Sequence, residues 1–111
     1  MTPEQSPLQV WNIPRMAAAQ NESFGEFFRI PAMSFEIYKL PAGGVDPQNP
    51  HKEDEAYYVI SGRAKIIVEG EVQPVEPGSL IFVAARAHHK FIEIEEDLTL
   101  LVFFAPAFTG S

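Results

Sequence analysis

The sequence contains no cysteine in its 111 residues, which excludes disulfide bonds, thiolate metal sites and cysteine nucleophiles. Positive charge is also scarce, because 8 lysine and arginine residues stand against 15 acidic residues and the formal net charge is -7. Binding to nucleic acid or to an anionic membrane surface requires clustered positive charge. We therefore expect neither nucleic acid nor a membrane as a partner.

Long apolar runs are absent as well. No stretch approaches the roughly 20 apolar residues that a membrane span needs, and the N-terminus has neither the basic nor the apolar region of a secretory signal. We accordingly expect a cytoplasmic protein. The sequence also lacks a phosphate-binding glycine loop and the strand-to-helix elbow of serine hydrolases, so neither chemistry is expected.

The residues that are present fit one small domain. A hydrophobic fraction of 46% is enough for a single core over residues 1–111. Residues 1–7 are polar and rich in proline, and we expect them to form a loose tail. The alternation in Leu8–Ile13 predicts a strand that ends at Pro14, and residues 15–26 predict a helical turn or two.

Short β-rich runs separated by glycine and proline occupy the rest of the chain, from residue 27 to about residue 106. Many short strands without helical periods between them indicate a sandwich or barrel, and they exclude a parallel α/β sheet because each crossover would need a helix. The sequence thus predicts an all-β domain. The predicted strands include Phe27–Ile30, Met33–Leu40, Tyr57–Ile60, Ala64–Val68, Leu80–Val83, His89–Ile94 and Leu98–Phe104.

The three histidines are the most informative residues. His51 and Glu55 are an even number of residues apart, so in an extended segment both side chains leave on one face. His89 begins a different strand, which an antiparallel barrel can bring opposite that pair. Two imidazoles and one carboxylate with open positions form the facial arrangement that suits Fe(II) and tolerates other divalent ions. The same face also carries Asn49, Glu53 and Tyr57.

Two simpler interpretations of these residues remain. His51 and Glu55 could form a solvated ion pair on the charged loop of residues 51–55, and the interior could be a pocket that binds no metal. The position of His89 after the turn at Gly78 favours the metal site over the ion pair.

At these residues the sequence resembles the cupin family. The first family motif, G-x5-H-x-H-x3-E-x6-G, is matched by Gly43, His51, Glu55 and Gly62, with Asn49 in place of its first histidine. The second motif, G-x5-P-x-G-x2-H-x3-N, is matched only at Gly78 and His89, because Ala84, Arg86 and Glu93 fill its other positions. The likeness extends from about residue 35 to residue 104.

This resemblance implies a cupin jelly-roll β-barrel, usually a homodimer, that holds a divalent metal such as Fe, Mn, Zn or Ni. It implies His51, Glu55 and His89 as ligands. Asn49 occupies the fourth ligand position, where an amide oxygen is a weaker donor than imidazole, and the neighbouring Gln48 is an alternative for the same role. The departures in the second motif bring Arg86 near the barrel mouth.

The residues around these ligands suggest a pocket. Tyr57, Phe82 and Phe91 share the parity of the ligands on their strands and would either line an apolar cavity for a small ligand or simply fill the barrel. Arg86 is either a surface charge or a contact for an anionic group. Glu53 and Tyr57 are the candidates for a general acid or base.

Three functions are consistent with this interpretation. The first is a metal-dependent enzyme acting on a small organic molecule, with oxygenase chemistry as the leading type and isomerisation or decarboxylation as alternatives. The second is a cupin module that binds a small molecule without turning it over. The third is a structural partner protein that dimerises through the predicted strand Leu8–Ile13.

Overall fold

The computed structural model describes residues 6–110. Most of the predicted loose tail, residues 1–5, lies outside the described part, and Ser6 and Pro7 are exposed and belong to no helix or strand. The elements are α1 (Ile13–Ala19), β1 (Phe24–Ile30), β2 (Met33–Leu40), β3 (Asp54–Ser61), β4 (Ala64–Val68), β5 (Glu71–Val75), β6 (Leu80–Val83), β7 (His89–Ile92) and β8 (Leu98–Ala105).

The strands form two antiparallel sheets, which confirms the predicted all-β architecture. A five-stranded sheet has the order β1-β2-β8-β3-β6, and a three-stranded sheet has the order β5-β4-β7. The chain passes from one sheet to the other after β3, β5, β6 and β7, so the inner faces of both sheets close over one core. Within residues 6–110 no helix is long and apolar enough to cross a membrane.

Two turns show why particular residues are needed. The hairpin between β4 and β5 turns at Glu69 and Gly70, whose φ angles of 47° and 85° are the pair of positive values that a tight two-residue turn requires. Gly62 follows β3 with a φ of 95°, and a Cβ on it would collide with the backbone carbonyl of Asp97. Only glycine fits that position without a backbone shift.

The prediction of a strand over Leu8–Ile13 is wrong. Ile13 begins helix α1 instead, because the Asn12 side chain caps it by accepting a hydrogen bond from the backbone N–H of Arg15 at 2.9 Å. Pro14 lies in the first helical turn, where its missing N–H is not needed. The short helix agrees with the predicted helical turns, but the proposed dimerisation through an N-terminal strand loses its basis.

The N-terminal segment instead covers the outer face of the large sheet. Trp11 makes edge contacts with Phe27, Phe28 and Phe35, with ring centroids 5.2, 5.4 and 6.0 Å apart. Strand β2 is consequently covered on both faces, with Phe35 against this outer layer. Its other face, which begins at Ser34, points between the sheets and supplies polar residues to the interior.

Candidate metal centre

Two histidines and a glutamate from separate elements meet at one end of the interior. His51 precedes β3, Glu55 is the second residue of β3, and His89 is the first residue of β7 in the other sheet. One ligand atom from each lies within 4.8 Å of the other two. The Glu55 Oε1 atom is 3.0 Å from Nε2 of His89 and 3.9 Å from Nε2 of His51. The three side chains are close enough together to hold one metal ion between them.

The side-chain amide of Gln48 completes this group. Its Oε1 lies 3.1 Å from Nε2 of His51 and 3.2 Å from Nε2 of His89, and it accepts a hydrogen bond from the Tyr57 hydroxyl at 2.9 Å. Asn49, by contrast, is exposed. Of the two amides considered from the sequence, Gln48 is the one directed at the histidines.

Asp46 fixes the orientation of that amide. Its Oδ2 accepts a hydrogen bond from the Gln48 side-chain N–H at 2.7 Å, so the amide oxygen turns toward the histidines. The same oxygen accepts from the backbone N–H of Phe91, and Oδ1 accepts from the Tyr38 hydroxyl at 2.6 Å. A buried carboxylate with both oxygens engaged thus supports the ligand group from behind, as outer partners of metal ligands commonly do.

The protonation of His89 is set by its backbone partner. Its Nδ1 lies 2.9 Å from the carbonyl oxygen of Ala87, to which only a protonated Nδ1 can donate. In the neutral ring this leaves the lone pair of Nε2 facing Glu55 and Gln48. Such an arrangement is the usual one for an imidazole that ligates a metal.

The charges of the two imidazoles respond differently to their surroundings. Burial lowers the pKa of His51, and the attraction of Glu55 does not compensate. Burial also lowers the pKa of His89, but the Glu55 carboxylate and the Ala87 carbonyl outweigh it, so the pKa of His89 is raised overall. The closer approach of His89 to Glu55 and its contact with the Ala87 carbonyl therefore distinguish the pKa values of the two rings.

One atom of the group tests whether a metal fits. The Glu55 Oε1 atom is buried and, although it lies 3.0 Å from His89, has no partner with hydrogen-bond geometry among the described residues. A buried carboxylate oxygen without a donor is destabilising. Two imidazole nitrogens, this oxygen and the Gln48 amide oxygen form a donor set that suits a divalent transition-metal ion. The residues present fit the ion that the sequence predicts.

A small cavity of about 150 Å³ adjoins the group. Its polar wall consists of Glu36, Tyr38, Gln48, His51 and Glu55, and its apolar wall of Phe24, Phe104 and Phe108. A protein cavity of about this volume can enclose a molecule the size of benzene. A ligand of a few heavy atoms therefore fits beside the candidate ligands.

The C-terminal segment, residues 107–110, forms one wall of this cavity. The Phe108 ring stacks on Phe104 with centroids 4.6 Å apart. The backbone N–H of Phe108 donates to the Ser34 hydroxyl at 2.9 Å, and the Thr109 hydroxyl donates to Oε2 of Glu53 at 2.8 Å. These bonds tie the segment to β2 and to the loop before β3.

A larger, open groove of about 570 Å³ lies elsewhere, beside strands β5 and β6. It contains none of the candidate ligands, so its size does not make it the functional site. Phe82, which lines it, is 68% exposed, and the prediction that Phe82 lines the inner cavity is wrong. Val83 pairs with Glu55 and is buried, so the alternation of β6 turns Phe82 outward.

The other predicted pocket residues lie near the cavity but outside its lining. Tyr57 is completely buried and packs on Phe91 with ring centroids 4.9 Å apart, which agrees with the alternative that these rings fill the barrel. Arg86 contributes a backbone N–H, which donates to the carbonyl oxygen of His51 at 2.6 Å. Glu53 is buried but directed to Thr109 rather than to the cavity.

One cavity residue, Glu36, was not among the predicted site residues. It is 4% exposed, and its Oε2 has no hydrogen-bond partner among residues 6–110. Burial raises the pKa of Glu36 to about 8, and the negative charges of Glu55 and Glu26 add to the effect. In β2 the apolar residues Met33, Phe35 and Ile37 occupy alternate positions, and this pattern predicts that their face is the buried one. Glu36 lies on the other face, so the pattern alone predicts that it is exposed to solvent.

The region that carries the site matches a known family. A family model described as a cupin domain matches residues 36–104, more than half of the chain, and includes all three candidate ligands. An uncharacterized protein of Streptomyces coelicolor, SCO3923, is 46% identical over 89 residues, which cover 80% of this chain and 85% of that protein.

Two solved structures share the architecture. TT1209 from Thermus thermophilus is 26% identical with a TM-score of 0.73, covering 90% of this chain and 99% of that one. An RmlC-like cupin from Shewanella frigidimarina is 18% identical with a TM-score of 0.66, covering 76% of this chain and 75% of that one. These likenesses establish the jelly-roll fold, and neither name states a reaction.

Proposed function

Because the chain belongs to the cupin domain family, we propose that it is a metal-binding cupin whose centre acts on a small organic molecule. His51, Glu55 and His89 are the proposed ligands, with Gln48 as the fourth. The ion is divalent, with Fe, Mn, Zn and Ni as candidates, since a mixed nitrogen and oxygen donor set accommodates each of them.

One observation carries the proposal. Four polar atoms with lone pairs converge from Gln48, His51, Glu55 and His89, and the Glu55 oxygen among them is buried without a hydrogen bond. Proteins seldom bury such a group unless a ligand or ion completes it. A cation at the point that these atoms face would satisfy all four.

The chain's own residues indicate what such a centre would do. A bound divalent ion polarises a substrate oxygen or lowers the pKa of a bound water. Phe104 and Phe108 keep bulk water from the cavity beside the ligands, which strengthens electrostatic interactions there. Oxygenase chemistry is the reaction type that two histidines and a carboxylate favour, and isomerisation and decarboxylation are compatible with the same residues.

Tyr57 is better assigned to positioning than to proton transfer. Burial raises the pKa of its hydroxyl well above the ordinary value, and the hydroxyl donates its hydrogen bond to Gln48. It therefore stays protonated and holds the amide oxygen in place. Glu53, the other acid or base candidate, accepts hydrogen bonds from Thr109 through Oε2 and is not among the residues that line the cavity.

Metal analysis tests the proposal. The protein is purified without chelator, and its metal content is measured by mass spectrometry for the wild type, His51→Ala and His89→Ala. We expect each substitution to lower metal affinity by at least about tenfold. His88→Ala is the matched control, since that neighbouring residue is not part of the ligand group, and it should leave the content unchanged. Equal metal content in all four proteins would contradict the proposal.

A binding module without turnover is the second candidate. The observation in its favour is the amide of Gln48 at a position where imidazole would bind the ion more tightly. If the purified protein lacks metal and a small molecule still raises its melting temperature, this hypothesis replaces the first.

We also propose that the protein forms a homodimer. Support comes from exposed apolar side chains on the outer face of the β3–β6 pair, namely Tyr58, Leu80 and Phe82. Contiguous exposed apolar surface commonly marks an interface. Sedimentation of the wild type and of Phe82→Ser tests it, and a wild type that sediments as a monomer would contradict it.

A further inference from the structure

We propose that Glu36 is the ligand-recognition residue of the cavity, where its neutral carboxyl group donates a hydrogen bond to an oxygen of a small carboxylate ligand. This inference rests on the proposed function, because the same ligand would lie beside the metal centre. It adds a second recognition element to the four proposed metal ligands.

The position of Glu36 supports this role. Glu36 pairs with Val102 of β8, and Val102 pairs in turn with Tyr57 of β3. Glu36 is therefore level with Tyr57, two residues along β3 from Glu55, and is separated from β3 by strand β8. Glu36 lines the cavity together with His51 and Glu55 but is not among the residues whose ligand atoms converge. It therefore lines the ligand space without belonging to the ligand group.

The unpaired state of Glu36 is the second argument. Its Oε2 is buried without a hydrogen-bond partner in the described chain. The neighbouring Tyr38 on the cavity wall is otherwise engaged, since its hydroxyl donates to Asp46. Glu36 lines the cavity, and a polar atom that the protein leaves unpaired in a cavity-lining residue is one that a bound ligand can complete.

The groups that face Glu36 determine its charge. Glu26 on β1 and Glu55 on β3 are negative, β8 contributes the apolar Val102, and the neighbouring Tyr38 is neutral. None of the ion pairs within residues 6–110 involves Glu36. Burial together with the two carboxylates raises the pKa of Glu36 to about 8, so the group is protonated at neutral pH and can donate a hydrogen bond.

A neutral carboxyl donor selects an acceptor oxygen. A carboxylate ligand suits the site because one oxygen can accept from Glu36 while the negative charge is balanced by the cation at the ligand group. The cavity volume of about 150 Å³ limits the part of the ligand inside it to a few heavy atoms. Once Glu36 ionises, it loses its proton and repels the ligand.

The experiment titrates acetate, pyruvate and oxalate into Zn²⁺-loaded protein by calorimetry from about pH 6.5 to about pH 9.5. We expect at least one probe to bind the wild type, with an affinity that falls up to about tenfold per pH unit above the pKa of Glu36, which the bound cation and the bound probe shift in opposite directions from the metal-free value of about 8. Glu36→Gln keeps a donor that cannot ionise, so its binding should not show that fall. Glu36→Leu should bind at least about tenfold more weakly at the acidic end.

Controls separate this inference from the proposed function. Glu26→Gln removes a carboxylate outside the cavity and should keep the wild-type affinity at the acidic end of the titration. A metal-bound water that competes with the probes would give the same pH dependence in Glu36→Gln as in the wild type. If the wild type binds no Zn²⁺, the proposed function fails. The probes are then titrated into metal-free wild type and Glu36→Leu, and weaker binding to the variant would still support the role of Glu36.

Three results would overturn the inference: Glu36→Leu binds the probes as tightly as the wild type, the wild type and Glu36→Gln share one pH profile, or none of the three probes binds the wild type. Circular dichroism of each variant establishes that it is folded before titration.

Discussion

Replacing Glu36 by glutamine should stabilise the metal-free protein, and the gain should grow with pH. The carboxyl group has a pKa of about 8 in the folded chain against 4.5 as its ordinary value, so the folded state favours the neutral form. Below pH 4.5 both states are protonated and the residue contributes no pH-dependent term. As the pH rises from 4.5 to about 8, the unfolded chain ionises first and the folded state loses stability.

The magnitude follows from that interval. Each unit of difference in pKa corresponds to about 1.4 kcal/mol, so the residue lowers the free energy of unfolding by about 3 kcal/mol at pH 7 and by about 5 kcal/mol above pH 8. Glutamine has nearly the same shape and cannot ionise. For a chain of this length, about 3 kcal/mol corresponds to roughly 10–15 °C in melting temperature.

The assay is thermal and urea unfolding of chelator-treated wild type and Glu36→Gln between about pH 4.5 and about pH 8.5. The curves should run parallel near the acidic end and diverge steadily above it, with the variant gaining stability. Titrating groups far from Glu36 are common to both proteins and unaffected by the substitution, so their contributions cancel in the difference. A stability difference that does not change with pH would refute the claim that Glu36 is buried and unpaired.

Three further predictions concern other parts of the molecule. Gln48→Ala should weaken metal binding by about tenfold or more, whereas Asn49→Ala should leave it unchanged, as measured by competition with a chromogenic chelator. Gly62→Ala should lower the free energy of unfolding by at least about 2 kcal/mol in urea, because a Cβ cannot fit at that φ. Glu53→Ala should increase hydrogen exchange at the Phe108 amide, which NMR detects, because the C-terminal segment loses both hydrogen bonds that Thr109 donates to Glu53.

Much of the sheet could be predicted from the sequence. Strands β2, β4 and β6 have the predicted bounds, and β8 extends one residue further than predicted. These runs are rich in apolar residues and are bounded on at least one side by glycine, proline or an acidic turn. Strand β5, Glu71–Val75, was not predicted because it is an edge strand with mostly exposed residues, and its pairing with β4 stabilises it.

Residues of the candidate site could be predicted only where the spacing of a sequence motif identified them. His51, Glu55 and His89 come together as their spacing and the cupin resemblance imply. Gln48 could not be chosen over Asn49, because residues 41–53 form no helix or strand and alternation has no meaning there. Glu36 was missed because a strand covered on both faces has no solvent side to identify.

The placement of Phe108 has a consequence for kinetics. A ligand that reaches the interior from this side has to displace the ring and break the hydrogen bonds that Phe108 and Thr109 make with Ser34, Glu53 and Arg29. Association would then be limited by how often the last few residues swing aside, and would be slower than diffusion allows. The same segment would slow the dissociation of an enclosed ligand, so a gate of this kind lowers both rates by the same factor and leaves the affinity unchanged.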